Sequence, residues 1–343
     1  TITGAADIDG AFSGITNLSV SGTANIAANV TTTGTQTYAG AVTVSSASIL
    51  GTNNSNVTLG GSLTLADNLS VNTGAGAGDI VVTGAVDGAK ALSLNAGTGA
   101  ITLTGAVGQT TRLGTITLNS SGVTTLAQAV KAAGLTTNSG GTLLINGGGV
   151  DTTSTQTYGD AITLGADTTL IGSTINTQST LAGGGNALTI TGAADIDGAF
   201  TGITNLSVSG TANIGANVTT TGTQTYAGAV TLSGGDRTLT ASTVNTQSTL
   251  AGGSNALTIT GAADIDGAFS GITNLSVSGT ANIAANVTTT GTQTYAGAVT
   301  LSGGDRTLTA STVNTQSTLA GGSNALTITG AADIDGAFSG SKA

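Results

Sequence analysis

TITGAADIDGAFSG opens the chain at Thr1–Gly14, and the same fourteen residues return from Thr189, Thr258 and Thr327, with Thr201 in place of serine in the second copy. Asp195, Asp264 and Asp333 are evenly spaced and Arg237 to Arg306 keeps the step, a period of about 69 residues. Even the rare residues obey this period, since all four Phe lie in DGAF and all four Tyr in TQTY. Between the copies run short alternating segments: LTITG at Leu188, NLSVSG at Asn205 and AVTLSG at Ala229. Alternation with period two is the mark of a half-buried strand, and in LTIT it sends Leu188 and Ile190 to one face and Thr189 and Thr191 to the other. Gly, Asn, Asp and Ser separate the segments and supply turns.

Divided by three, the 69-residue period gives intervals of about 23 residues, a suitable length for one coil of a three-sided solenoid. The expected fold is therefore all-β, a right-handed parallel β-helix of about 23 residues per coil in which one repeat makes three coils. On that reading Phe and Tyr recur every third coil along one stripe. Strict repeats cover 189–340. From about 58 to 188 the repeat degenerates, yet SLTL, DIVV, LSLN, AITLTG and GTITLN preserve the alternation, so 1–343 reads as one continuous solenoid segment. TTLAQAVKAAGL (Thr124–Leu135) is open to two readings, a short helix stopped at Gly134 or a strand among strands.

Composition agrees with strands. Among 343 residues there are 56 glycines and no proline, charged residues make up only 6%, and every acidic residue is Asp. Helix-forming Glu and Lys are nearly missing, which disfavours a helical or α/β enzyme. With 38% hydrophobic residues and positive mean hydropathy the chain is expected to fold. Missing Pro suits uninterrupted strand ladders. The net charge of -10 comes from scattered Asp, and the six basic residues form no stripe for phosphates, so nucleic acid is not an expected partner. No apolar run is long enough to span a bilayer, and no membrane insertion of this segment is expected. The chain starts inside a repeat without a charged-then-apolar leader, and reads as part of a longer, processed protein.

TQTYAGAVTL, TQTYGDAITLGADTTL and GAITLTGAVGQTTRLGTITLNSSGVTTL resemble the repeat regions of large bacterial surface exoproteins, the filamentous-haemagglutinin-like and autotransporter adhesins with a β-helical stalk. The resemblance covers nearly the whole chain and implies an extracellular, cell-surface location and a role in attachment, biofilm or the extension of a binding tip. Two departures stand out. The Asn-Pro motifs of a two-partner secretion domain are absent, and the chain ends DGAFSGSKA, with SKA where the repeat calls for ITN. The near-identity of the copies points to a structural stalk or filament segment, with a repetitive Thr-rich binding surface for glycan or, second to it, ice as the alternative. Because the end repeats the beginning, head-to-tail self-association is an expected partnership, as is contact with a host surface or extracellular polysaccharide.

DIDG places Asp195 and Asp197, and again Asp264 and Asp266, around an isoleucine and before a glycine. Such carboxylates suit either Ca²⁺ or a solvated turn; a third acidic position and the other ligands of a calcium loop are missing. Catalysis lacks His and Cys, and two carboxylates on one strand stand nearly parallel rather than flanking a bond. No catalytic, cofactor-binding or metal residue is assigned, no cofactor is expected, and the chain is not read as an enzyme. GDR (Asp236–Arg237, Asp305–Arg306) reads as a charged turn.

Overall fold

The structure, a computed structural model, describes Thr1–Gly340; the SKA tail lies outside the described residues. It is an all-β solenoid of parallel stacked turns, about 19 residues each. No helix occurs among the described residues, and Thr124–Leu135 falls to the strands Val123–Leu126 and Val130–Thr137. Contacts divide the chain into two compact units, Thr1–Leu181 and Ala182 onward.

In the first unit, Ala6–Ile8, Phe12–Ile15 and Leu18–Val20 form the three sides of a turn. Ala24–Ile26 begins the next turn by pairing in parallel with Ala6–Ile8, Ala24 on Ala6 and Ile26 on Ile8. Asp7 and Asn25, partners on this rung, are 18 residues apart, and Ala24 to Val42 repeats the step. Turns then lengthen. Leu69 stacks on Leu92 and Leu92 on Ile116, and the hydrogen-bonded neighbours Asn68 with Ala91 and Asn95 with Asn119 are 23 and 24 residues apart. Inward positions are filled by Val, Leu and Ile with near-zero exposure, such as Val20, Ile26, Val57 and Leu94. Outward positions carry Ser, Thr and Asn, which a strand surface accommodates.

In the second unit the repeat can be followed rung by rung. Leu188 stacks on Leu206, Gln224, Val244 and Ala263 in turn, each step close to the mean of about 19 residues. This corrects the 23-residue coil. The inward segments follow one another mostly six residues apart, beginning Leu188, Ala194, Phe200, Leu206, Ala212, Val218, Gln224 and Val230. Leu239, Val244 and Leu250 complete the copy before Leu257 starts the next, which makes eleven segments. Eleven is not a multiple of three, so one copy spans three turns and two sides rather than three whole turns.

The copies therefore shift by one face each. Leu188 lies in the Leu206–Gln224 stack, its counterpart region Leu257–Ile259 lies under Leu239 in the Phe200–Val218 stack, and Ile328 lies in the Ala194–Ala212 stack through Val287 and Leu308. Phe and Tyr consequently form no single stripe. Tyr226 pairs with Val208 on one face and Tyr295 with Val277 on another.

Two devices make the narrow interior close. At the corner after Val20, Gly22 and Gly40 stand directly over Gly4 and Gly22, and a Cβ on either would overlap the backbone below; the same stack recurs at Gly210 and Gly228 and at Gly279 and Gly297. Inside, TQTY turns Gln and Tyr toward the core. Gln224 Nε2 donates to Val218 O at 3.0 Å and to Thr240 O at 2.9 Å, while Tyr226 Oη donates to Gln224 Oε1 at 3.1 Å. Both side chains are fully buried, and burial pushes the Tyr226 hydroxyl above its ordinary value. A buried polar group is tolerated when its bonding capacity is filled, and here the amide donates to carbonyls on two adjoining turns while its oxygen accepts the tyrosine hydroxyl.

In this cysteine-free chain, Ser207→Cys with Thr225→Cys, in-register neighbours on adjoining turns, will oxidise to a disulfide, whereas Ser207→Cys with Thr231→Cys will not, as gel mobility with and without reductant will show. Gln224→Leu, which removes two amide hydrogen bonds and the acceptor of the buried Tyr226 hydroxyl, will lower stability by about 1–3 kcal/mol in denaturant titration, and Tyr226→Phe by about 1 kcal/mol.

Candidate functional site

DIDG, the strongest acidic candidate, resolves into a ladder. Ile196 and Ile265 point into the core, and the preceding carboxylates face outward, Asp195 beside Asn213 and Asp264 between Asn245 and Asn282. Asp195 Oδ1 accepts from Asn213 Nδ2 at 2.8 Å. Asp264 accepts from Asn282 Nδ2 at 2.7 Å through one oxygen and from Asn245 Nδ2 at 3.2 Å through the other, and Asn282 Oδ1 in turn accepts from Ser302 Oγ at 2.8 Å. Asp7 and Asp333 are held by Asn25 and Asn314 in the same way. Each carboxylate thus serves coil-to-coil bonding, the kind of charge-assisted contact that fixes register. The three copies of the second unit, at Asp195, Asp264 and Asp333, stand on three different faces, and among the described residues no group of three or more His, Cys, Asp or Glu converges.

The second carboxylate of the motif sits at the turn. Partial burial, and then the neighbouring Asp195, push the Asp197 carboxyl above the ordinary Asp range; Asp266 is raised in the same way, with Asp264 as its neighbour. GDR is a corner staple rather than an ion pair. Asp236 Oδ1 accepts from Ala256 N of the next turn at 2.8 Å, and Arg237 Nε closes its own turn onto Ser233 O at 2.8 Å. The Thr-x-Thr rows are broken: outward Thr189, Ser207 and Thr225 are followed by Asn245 and Asp264. No unbroken hydroxyl row runs along that face.

Two features escaped the sequence reading. Arg112 reaches across two further turns, with Nη1 on Ala132 O at 3.0 Å and Asp151 O at 2.6 Å, and Nη2 on Asp151 Oδ2 at 2.8 Å. Lys131 stands in register with Asp151, so a charged cluster occupies this one face. Its members lie up to 39 residues apart, and the only signal in the sequence is that three of the six basic residues, Lys90, Arg112 and Lys131, fall inside the degenerate stretch. Asp160 is the other. It replaces a corner glycine of the TQTYAG pattern, is 1% exposed, and accepts Gly141 N at 2.8 Å through Oδ1, while Oδ2 has no partner among the described residues. Burial raises its pKa, and its hydrogen bonds from Gly141 and Thr137 offset part of the rise.

These parts do structural chemistry: they clip, cap and register turns. In comparison with known proteins, no family model matches the chain, and no curated protein or solved structure matches it. The class defined by the fold is a β-helical repeat protein.

Asp160, Asp197 and Asp266 have folded-state pKa values raised above those of the unfolded chain. A group of this kind favours the fold fully below the ordinary Asp range, about 4, and that contribution is lost as pH rises through the raised folded value. Thermal midpoints will accordingly contain a component that rises on acidification toward that range, and Asp160→Asn with Asp197→Asn and Asp266→Asn will flatten it. Solvent screening keeps the share of the two turn residues small. Across the same scans, millimolar Ca²⁺ and EDTA will give the same midpoint.

Proposed function

We propose that this chain is a structural stalk segment of a secreted bacterial surface adhesin, spacing a binding tip from the cell. The observation that carries the proposal is the one-face shift of each copy. A repeated binding site works best when its members line up on one side, because a polymer or a surface then meets several at once. Here successive copies in the second unit move DIDG and TQTY to a new face, so neighbouring copies do not align, while spacing is indifferent to azimuth. Each copy advances the chain by about 18 Å at the strand spacing of a sheet and offers neighbours the same stacking edges. Copy number then sets reach.

The extracellular, cell-surface location rests on the resemblance of TQTYAGAVTL and its relatives to adhesin stalks. End-to-end association of copies belongs to the same reading, since every turn leaves a strand edge for the next. On this reading the repeat is neither a catalyst nor a holder of cofactor.

The test removes Gly210–Ser278, one whole copy, from the protein as displayed on cells. Ser209 then meets Gly279 in the sequence context it already had, so every following segment finds its usual neighbours. Expected is a folded, displayed protein that still attaches cells, with reach reduced by about 18 Å in electron micrographs of labelled tips. A folded and displayed variant that no longer attaches would assign binding to the repeat itself.

A further inference from the structure

On four strands whose sequences do not recur in the copies, the first unit carries a groove that no part of the stalk reading uses. It has a volume of about 460 Å³ and lies on the outer side of four consecutive parallel strands, Ser48–Gly51, Leu69–Asn72, Leu92–Gly97 and Leu113–Ser120. Register places Ile49, Ser70, Ser93 and Thr117 in one row along its floor. Three strand steps make that row about 14 Å long. The turns here are the long ones that carry Leu69, Leu92 and Ile116. Small Ser70 and Ser93 leave the middle of the floor low, and Ile49 stands 46% exposed at one end.

Its wall is set by two asparagines. Asn29 Oδ1 accepts Ile49 N and Asn68 Oδ1 accepts Ala91 N, each at 2.9 Å. Those bonds fix both amides with the carbonyl toward the backbone, leaving the NH₂ as donor at the groove. Hydroxyls that donate and accept, amides that donate, and short apolar surfaces at Ile49 and Ala91 make up the lining; no charged residue belongs to it, in a chain of net charge -10.

We propose that this groove binds a neutral oligosaccharide. A charged ligand would lose hydration without gaining a counter-charge, and a purely apolar one would bury hydroxyls and amides without partners. A polyhydroxyl chain does neither, because its hydroxyls exchange hydrogen bonds with the floor and wall while its ring C–H groups lie on Ile49 and Ala91. Pockets for small ligands share this balance of apolar area and a few placed polar groups. The strand sequences SILG, LSVN, LSLNAG and LGTITLNS each occur once, so the site is singular where the repeat is not.

The site is independent of the stalk reading and is tested on the whole chain. Cellohexaose, maltohexaose, xylohexaose and chitohexaose are titrated by calorimetry, with oligogalacturonate of the same length as the anionic comparison. Expected is saturable one-site binding of at least one neutral hexasaccharide, with the anionic oligomer bound at least tenfold more weakly. Ser70→Val with Ser93→Val raises the floor at outward strand positions that accept β-branched residues, and should weaken binding at least tenfold without moving the thermal midpoint. Ser70→Ala with Ser93→Ala removes the hydroxyls without adding bulk, and should weaken it as well. Thr219→Val, outward in the repeat, should leave it unchanged. The proposal is overturned if none of the four neutral hexasaccharides binds at millimolar concentration, if the anionic oligomer binds as tightly, or if both serine pairs can be replaced without effect.

Discussion

A backbone N–H of one turn donating to a carbonyl of its neighbour, as Ala24 does to Ala41 and Ala27 to Ile8, is the contact on which the molecule rests. Because these bonds run in parallel register, whatever occupies a rung must live with its counterpart on the turns above and below, at about 4.8 Å. Most of the unusual composition follows from that constraint. Glycine stands over glycine at the corner of Gly4, Gly22 and Gly40 because there is no room for a Cβ between stacked backbones. Asparagine alternates with aspartate at Asn245, Asp264 and Asn282 because an amide can donate to a carboxylate, whereas a carboxylate stacked on a carboxylate would repel. Proline, which lacks the donor, has no place in such a ladder.

The same constraint permits the one-face shift. A copy can begin on any of the three sides only if the sides are interchangeable, and the structure shows that they are. The glycine stack at Gly192, Gly210 and Gly228 and the one at Gly261, Gly279 and Gly297 are the same construction at different corners of the second unit. The Gln–Tyr plug likewise has the same bonds at Gln224 and at Gln293 on different faces, with Nε2 to carbonyl distances of 3.0 and 2.9 Å in both. Local sequence carries its own environment with it. A repeat of this kind needs no fixed number of whole turns, and selection on copy number can act without repacking the core.

Much of the fold was legible in LTIT and its relatives, whose alternation gives strand, inward face and outward face in one reading. The length of the turn was not, because the 69-residue period is a property of the sequence copies and the turn is a property of the segments. Six-residue spacing is present from Leu188 to Val230, but ADI and FTGI offer too few apolar residues to look like strands, and QTY hides an inward Gln behind polar neighbours. Burying Gln224 is intelligible only once Val218 O and Thr240 O are seen to accept its amide and Tyr226 Oη to donate to it. DIDG was readable as outward acid around inward isoleucine, yet its asparagine partners lie about one turn away along the chain. Arg112 and Asp151, 39 residues apart, could be joined only by knowing which turns intervene.

Departures from the repeat are concentrated in the first unit, and they are of a different kind from the repeat itself. Between Asn29 and Asp160 the first unit holds the groove floored by Ser70 and Ser93, the Arg112 clip and the buried Asp160 carboxyl. In a solenoid, stability is a sum of neighbouring-turn terms, so an added loop costs little as long as the rungs on either side stay in register. Gly108–Arg112 illustrates this: Asp87 Oδ1 takes the N–H of Thr110 and Thr111 at 2.9 and 3.1 Å, Gln109 returns to Ala129 O at 3.1 Å, and Leu113 resumes the ladder opposite Ala132. Identical turns convert copy number into length, and unique turns, tolerated because each is anchored only to its neighbours, are where a chain of this architecture has the freedom to acquire a specific surface.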